Sequence, residues 1–282
     1  MTPHARRAIS AGTLAVAAVV MGLGTWMAAA TSTQAPQPPA SVDTQAVQYQ
    51  SGSTPIDAYL ARPRGATRRP AVIVLHDDLG ANSRFRELVQ QFAEAGLVAL
   101  APHLPSRAKV AASEPGEGRP QRTAVVDLSS PQTTADLRAA FAFLQQDAGV
   151  IAERISAVGV GWGEYRVWTL AESTPALYRA VVFYGVIPTD DDRLRTIQTP
   201  VLGHYAELDY LITARVLKTK QLLGSKFTYY IYPTVPGFFG GGTGQIQPAT
   251  GGSVISLPSG SQRASAAAAA KLAWTRTLEF LK

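Results

Sequence analysis

Three consecutive stretches constrain this chain most: "RPAVIVLHDD" at 69–78, "SRFRELVQQFAEAG" at 83–96 and "LVALAPHL" at 97–104. The first and third are short, continuous apolar runs ending in polar residues, the pattern of strands buried on both faces. Between them Phe85, Leu88, Val89 and Phe92 recur at helical spacing, and Gly96 closes the helix. A strand, a helix and a strand joined this tightly predict a parallel pair with a right-handed crossover.

The alternation continues. "TADLRAAFAFLQQDA" reads as an amphipathic helix and "ISAVGVG" as a strand, followed by a helix carrying Tyr165, Val167, Trp168 and Leu170. "RAVVFYGV" and "TPVLGHYAELD" are strand-like, then come a helix at "ARVLKTKQLLG", a strand at "FTYYIYP" and a closing helix at "ASAAAAAKLAWTRTLEFLK". An antiparallel hairpin opens the set, "AVQYQSG" turning through Ser-Gly-Ser into "IDAYLARP". The expectation is an α/β chain with a doubly wound, mostly parallel sheet and helices on both faces, whose ligand site lies at the carboxyl ends of the strands. The 282 residues, 46% hydrophobic and 16% charged, suffice for one large domain of this kind, placed at 47–282. Residues 108–133 read as a long irregular connection, and 237–262, rich in glycine, as a flexible loop beside the expected cleft.

The start of the chain has a different composition. Arg6 and Arg7 precede an uncharged, alanine-rich stretch from Ala8 to Ala30, and 31–46 is a Pro/Ser/Gln-rich linker. Residues 1–30 read either as an export leader cleaved after Ala28-Ala29-Ala30 or as a retained membrane anchor. Arginines before the stretch and none directly after it place the domain outside the cytoplasm, periplasmic or extracellular. The formal charge is +6, or +4 without Arg6 and Arg7, and the basic residues are scattered, which argues against nucleic acid as a partner. With no cysteine in the chain, disulfides, cysteine metal sites and a thiol nucleophile are excluded, so any nucleophile is an oxygen.

Gly159-Val160-Gly161-Trp162-Gly163 stands at the strand–helix turn, where an α/β hydrolase places its nucleophile elbow G-x-[SC]-x-G. Around it "GSTPIDAYLARP", "VIVLHDDLGAN", "EAGLVALAPHL", "RISAVGVGWGEYR", "VVFYG", "PVLGHYAELD" and "AAAAKLAWTRTLEFL" follow in order. The whole span from Val47 to Lys282 resembles the dienelactone hydrolase family, α/β hydrolases acting on lactones and esters. The resemblance implies that fold, no cofactor, and a carboxylate acid at Asp209. It also puts Gly161 at the nucleophile's place and Pro236 or Gly237 at the place of the base histidine, so two of three catalytic groups are absent. Asp77 matches a glutamate that the family sets beside its nucleophile, Glu164 replaces a glycine, and His103 replaces an aspartate.

The backbone of an oxyanion hole is expected to survive at the N–H groups of Trp162 and near Asp78. His103 could face the cleft, and Arg107 or Arg166 could pair with Asp209 once its histidine is gone. His76 and His204 read as structural. A metal held by "HDD" at 76–78 with His103 and Asp209 is disfavoured, because successive strand residues point to opposite faces. Three readings remain open. The chain is an inactive or weak relative that binds a small ester, lactone or other carbonyl or anionic ligand, or a protein; or an ester hydrolase with displaced groups; or a membrane-anchored accessory subunit.

Overall fold

The computed structural model describes residues 42–65, 67–76, 82–108, 131–239 and 260–282. The leader, most of the 31–46 linker, most of the 108–133 connection and the centre of the glycine-rich loop lie outside the described residues. Eight strands form one sheet: β1 (Val42–Ser51), β2 (Thr54–Pro63), β3 (Arg69–Leu75), β4 (Val98–Pro102), β5 (Val150–Val160), β6 (Ala180–Phe183), β7 (Val201–Ala206) and β8 (Phe227–Tyr232). Their order is β1-β2-β4-β3-β5-β6-β7-β8, with β1, β2 and β4 antiparallel and β4 through β8 parallel. The helices are α1 (Ser83–Glu94), α2 (Pro131–Gln145), α3 (Trp162–Ser173), α4 (Asp191–Thr196), α5 (Tyr210–Leu223) and α6 (Gly260–Leu281).

The strand side chains sort by period two into two cores. In β3, Ala71, Ile73 and Leu75 join Leu137 of α2, Trp168 of α3 and Val216 of α5 on one face. Val72 and Val74 join Phe92 of α1 and Ala273 of α6 on the other. Both faces are covered, which is why β3 is apolar at every position from Ala71 to Leu75. Asn82 caps α1, accepting from the Phe85 N–H at 3.0 Å, a local reason for the helix to begin where it does.

Four boundaries differ from expectation. β1 begins at Val42 rather than Ala46, because the four residues from Val42 to Gln45 pair in register with Leu60 to Pro63 of β2, although Asp43, Thr44 and Gln45 are polar. α4 is additional: Asp190 accepts from the Asp192 and Arg193 N–H groups, and six residues are too few to show a period. α5 starts at Tyr210, capped by Asp209. The expected loop 237–262 is shorter at both ends, since Gly237–Phe239 form a packed turn and α6 already runs from Gly260.

Candidate functional site

At the carboxyl end of β5 the chain turns through Gly161 into α3. Gly161 has φ 58° and ψ −118°, a left-handed conformation that residues with a Cβ adopt only under strain. Its N–H donates to the Phe183 carbonyl (3.2 Å) and its carbonyl accepts from the Glu164 N–H (3.1 Å). The flanking glycines are required by close approach. A Cβ on Gly159 would collide with the Gly163 carbonyl, and one on Gly163 with the Leu75 carbonyl of β3. The elbow is therefore intact as backbone, its apex carries no side chain, and the positive end of the α3 dipole opens beside it. The Trp162 amide opens the first turn of α3. Its side chain, together with Asp77 and Asp78, lies outside the described residues.

Asp209 stands where the resemblance places the acid, after β7 and at the N-cap of α5. It is half-buried, and its carboxylate accepts one hydrogen bond among the described residues, from the Ile212 N–H at 3.4 Å. Burial raises its pKa and that bond opposes the rise. Neither arginine considered as a partner reaches it. Arg107 is held in a two-pronged ion pair by Asp136 (2.5 and 2.8 Å) and donates to Thr54 Oγ1 (3.0 Å), which removes it from the cleft. Arg166 is buried and donates to the His76 carbonyl at 3.4 Å.

Glu164 stands in the first turn of α3, with its side chain turned inward and fully buried. Oε1 accepts from Trp168 Nε1 (3.2 Å) and from the Tyr205 hydroxyl (3.4 Å), while Oε2 has no partner among the described residues. Gly185 makes room for it: a Cβ there would strike Glu164 Oε2 and lie 2.6 Å from the Gly161 carbonyl. Burial, with Asp209 nearby as a lesser contributor, pushes the Glu164 pKa up to about 8, so the group is a neutral acid at pH 7. Sequence carried one sign of this arrangement, the i, i+4 spacing of Glu164 and Trp168. The role of Gly185 is visible only once β6 stands beside β5.

At the base position Pro236 and Gly237 begin a turn in which Phe238 and Phe239 are buried. Phe239 stacks on Phe183 with ring centroids 3.9 Å apart, and its carbonyl accepts from the Tyr184 hydroxyl. Aromatic packing fills the segment that would carry the histidine. Among the described residues no other histidine replaces it. His204 is fully buried between Tyr232 Oη (2.8 Å) and Thr277 Oγ1 (3.0 Å) on the α6 side of the sheet, and burial lowers its pKa to about 3. His76 is buried, and its ring centroid lies 6.0 Å from that of His103. The His103 N–H donates to the Asp57 carbonyl at 2.7 Å, which fixes that residue by the antiparallel end of the sheet.

The family model for the dienelactone hydrolase family matches residues 56–282, from the second strand to the last residue. The chain belongs to the dienelactone hydrolase family. A Bradyrhizobium protein named as a 2-oxo-3-(5-oxofuran-2-ylidene)propanoate lactonase is 33% identical over 188 residues, covering 61% of this chain and 73% of its own. An Escherichia coli K12 protein named as a carboxymethylenebutenolidase is 27% identical over 199 residues, 62% of this chain and 70% of its own. Among solved structures, a dienelactone hydrolase crystal structure from Klebsiella pneumoniae superposes with a TM-score of 0.68 at 24% identity over 86% of this chain and 98% of that one. A dienelactone hydrolase-like promiscuous phosphotriesterase from metagenomic libraries gives 0.66 at 18% identity, covering 85% and 97%. These likenesses establish the α/β-hydrolase fold and an ester- or lactone-hydrolase-like protein.

Proposed function

We propose that this family member binds a small carbonyl-containing or anionic ligand at its elbow without turning it over by nucleophilic catalysis. The observation that carries the reading is Gly161: it keeps the elbow's φ and ψ and presents no atom that could attack a carbonyl. Nucleophilic catalysis needs an activated atom, a base in reach and a group orienting the base. Here only the third member, Asp209, is present, and aromatic packing occupies the base segment. The positive dipole end at the start of α3 survives this loss and favours a carbonyl oxygen or an anion.

The test is hydrolysis of p-nitrophenyl acetate and of a lactone panel by the full chain, beside Gly161→Ser and Asp209→Ala. Without a triad, binding and electrostatics leave at most about 10³- to 10⁴-fold over the water reaction in the best-known serine protease case. The expected rates lie at or below that level and do not change in Asp209→Ala. Turnover by the unmodified protein that Asp209→Ala abolishes would overturn the reading and require a displaced nucleophile and base.

A further inference from the structure

Away from the elbow, a groove lies on the α6 side of the sheet. Arg179 and Pro200 stand immediately before β6 and β7, and Leu202 of β7, Tyr230 of β8 and the end of α6 complete its lining. The elbow follows the carboxyl end of β5, so the groove and the elbow sit toward opposite ends of the parallel strands. The groove encloses about 380 Å³, room for one small ring-bearing molecule, and its apolar lining comes from Pro200, Leu202, Tyr230 and Phe280.

Two arginines, Arg179 and Arg276, line this groove against one carboxylate, the exposed Glu279. None of the three has an ion-pair partner among the described residues, so the lining carries one uncompensated positive charge. Arg276 lies over the Tyr230 ring, 3.7 Å from its centroid, and donates to the Tyr232 hydroxyl at 3.1 Å. Arg179 lies over Phe280 at 5.1 Å and over Tyr178 at 4.7 Å. Stacking of this kind engages the flat face of a guanidinium and leaves its N–H edge able to fork onto an oxyanion. It also holds the side chain in place, so less rotamer freedom is lost when an anion arrives.

We propose that this groove binds a small aryl carboxylate, its charged head held by the N–H edges of Arg179 and Arg276 and its ring against Pro200 and Leu202. A single negative charge matches the single positive charge of the lining, whereas a dianion meets further repulsion from Glu279. Forked N–H bonds from arginine to a carboxylate are the strongest contact such a site offers, and the apolar wall alone does not distinguish an acid from an alcohol. The site shares no residue with the elbow, and it holds whether or not the elbow turns over an ester.

The experiment is a calorimetric titration of the full chain at pH 7 with phenylacetate and with its uncharged counterpart 2-phenylethanol. Phenylacetate is expected to bind saturably and at least about tenfold more tightly than the alcohol, as hydrogen bonds to a charged group imply. Arg179→Gln and Arg276→Gln should each weaken phenylacetate about tenfold and leave the alcohol unchanged. Glu279→Gln, at an exposed position where folding is not at risk, should tighten phenylacetate by removing a like charge. Equal affinity for acid and alcohol, or no saturable binding, would overturn the proposal. So would phenylacetate binding that all three substitutions leave untouched, the result expected of an anion seated at the elbow. Weakening in the arginine variants without tightening in Glu279→Gln would mark a purely structural role for the stacked arginines and overturn it as well. Turnover of p-nitrophenyl acetate by the same samples tests the elbow reading alone.

Discussion

Glu164 holds a proton that the unfolded chain gives up. Its pKa rises from 4.5 to about 8 on folding, chiefly by burial. A shift of that size corresponds to a stabilisation on the order of 5 kcal/mol, present in full below pH 4.5 and lost as pH rises through about 8. Between these values the folded state binds more protons than the unfolded one, so unfolding free energy falls with pH by as much as about 1.4 kcal/mol per unit. His204 works the other way: its pKa drops from 6.5 to about 3, so its stabilisation is present above pH 6.5 and lost as pH falls. The two oppose each other between pH 4.5 and 6.5, and from 6.5 to about 8 the Glu164 contribution to the decline is no longer opposed by His204. Urea unfolding of Glu164→Gln across this range should show that decline flattened. A decline equal to that of the unmodified chain would place its origin elsewhere.

At the scale of elements, the contact that builds the cleft is β5 and α3 against β3. Gly163 lets the first turn of α3 lie directly on the Leu75 carbonyl, and Gly159 lets the same turn fold back over its own strand. Both contacts are with backbone, which has no rotamer to yield, so an added methyl must displace α3 itself. Gly161 differs in kind, since its constraint is conformational. Gly161→Ala is expected to cost about 1–3 kcal/mol, the usual cost of a left-handed non-glycine residue, whereas Gly163→Ala should cost more and broaden the unfolding transition as α3 loosens. Urea midpoints for the two variants measure the order directly. An order reversed from this one would mean that α3 can retreat from β3 cheaply. The same geometry gives a reason for the apex to be glycine once chemistry is no longer needed: a serine or cysteine there stores strain that a nucleophile uses and a binding site does not.

For the whole molecule, the sheet makes a platform whose two faces are sealed by separate cores, leaving the strand ends as the place for a ligand. The short connections there carry the elbow and the α5 cap, while the antiparallel edge of β1 and β2 lies at the far side of the sheet. The start of the chain bears on where this platform works. An uncharged stretch of this length behind two arginines is proposed to export the domain, and a mass spectrum of the protein recovered from a secreting host is expected to begin near Thr31. A mass that includes Ala8 to Ala30 would instead support a membrane-held form.

Much of this architecture was legible without coordinates. Strands buried on both faces must be continuously apolar, as in Ala71–Leu75, and helices covering them must repeat near every third or fourth residue, as Phe85 to Phe92 do. The elbow was legible because close backbone approach admits only glycine, and the loss at Gly161 was legible because one residue type cannot stand in for another's chemistry. Local signals could not supply partners distant in the chain. The polar residues Asp43, Thr44 and Gln45 lie in a strand because β2 offers them a register, and Arg107 leaves the cleft because Asp136, on another element, takes it. Glu164 turns inward because Gly185, twenty-one residues on, vacates its space. A sequence states what each residue can do, and the fold decides which neighbour it does it with, since burial and charge pairing depend on distances that only the packed chain sets.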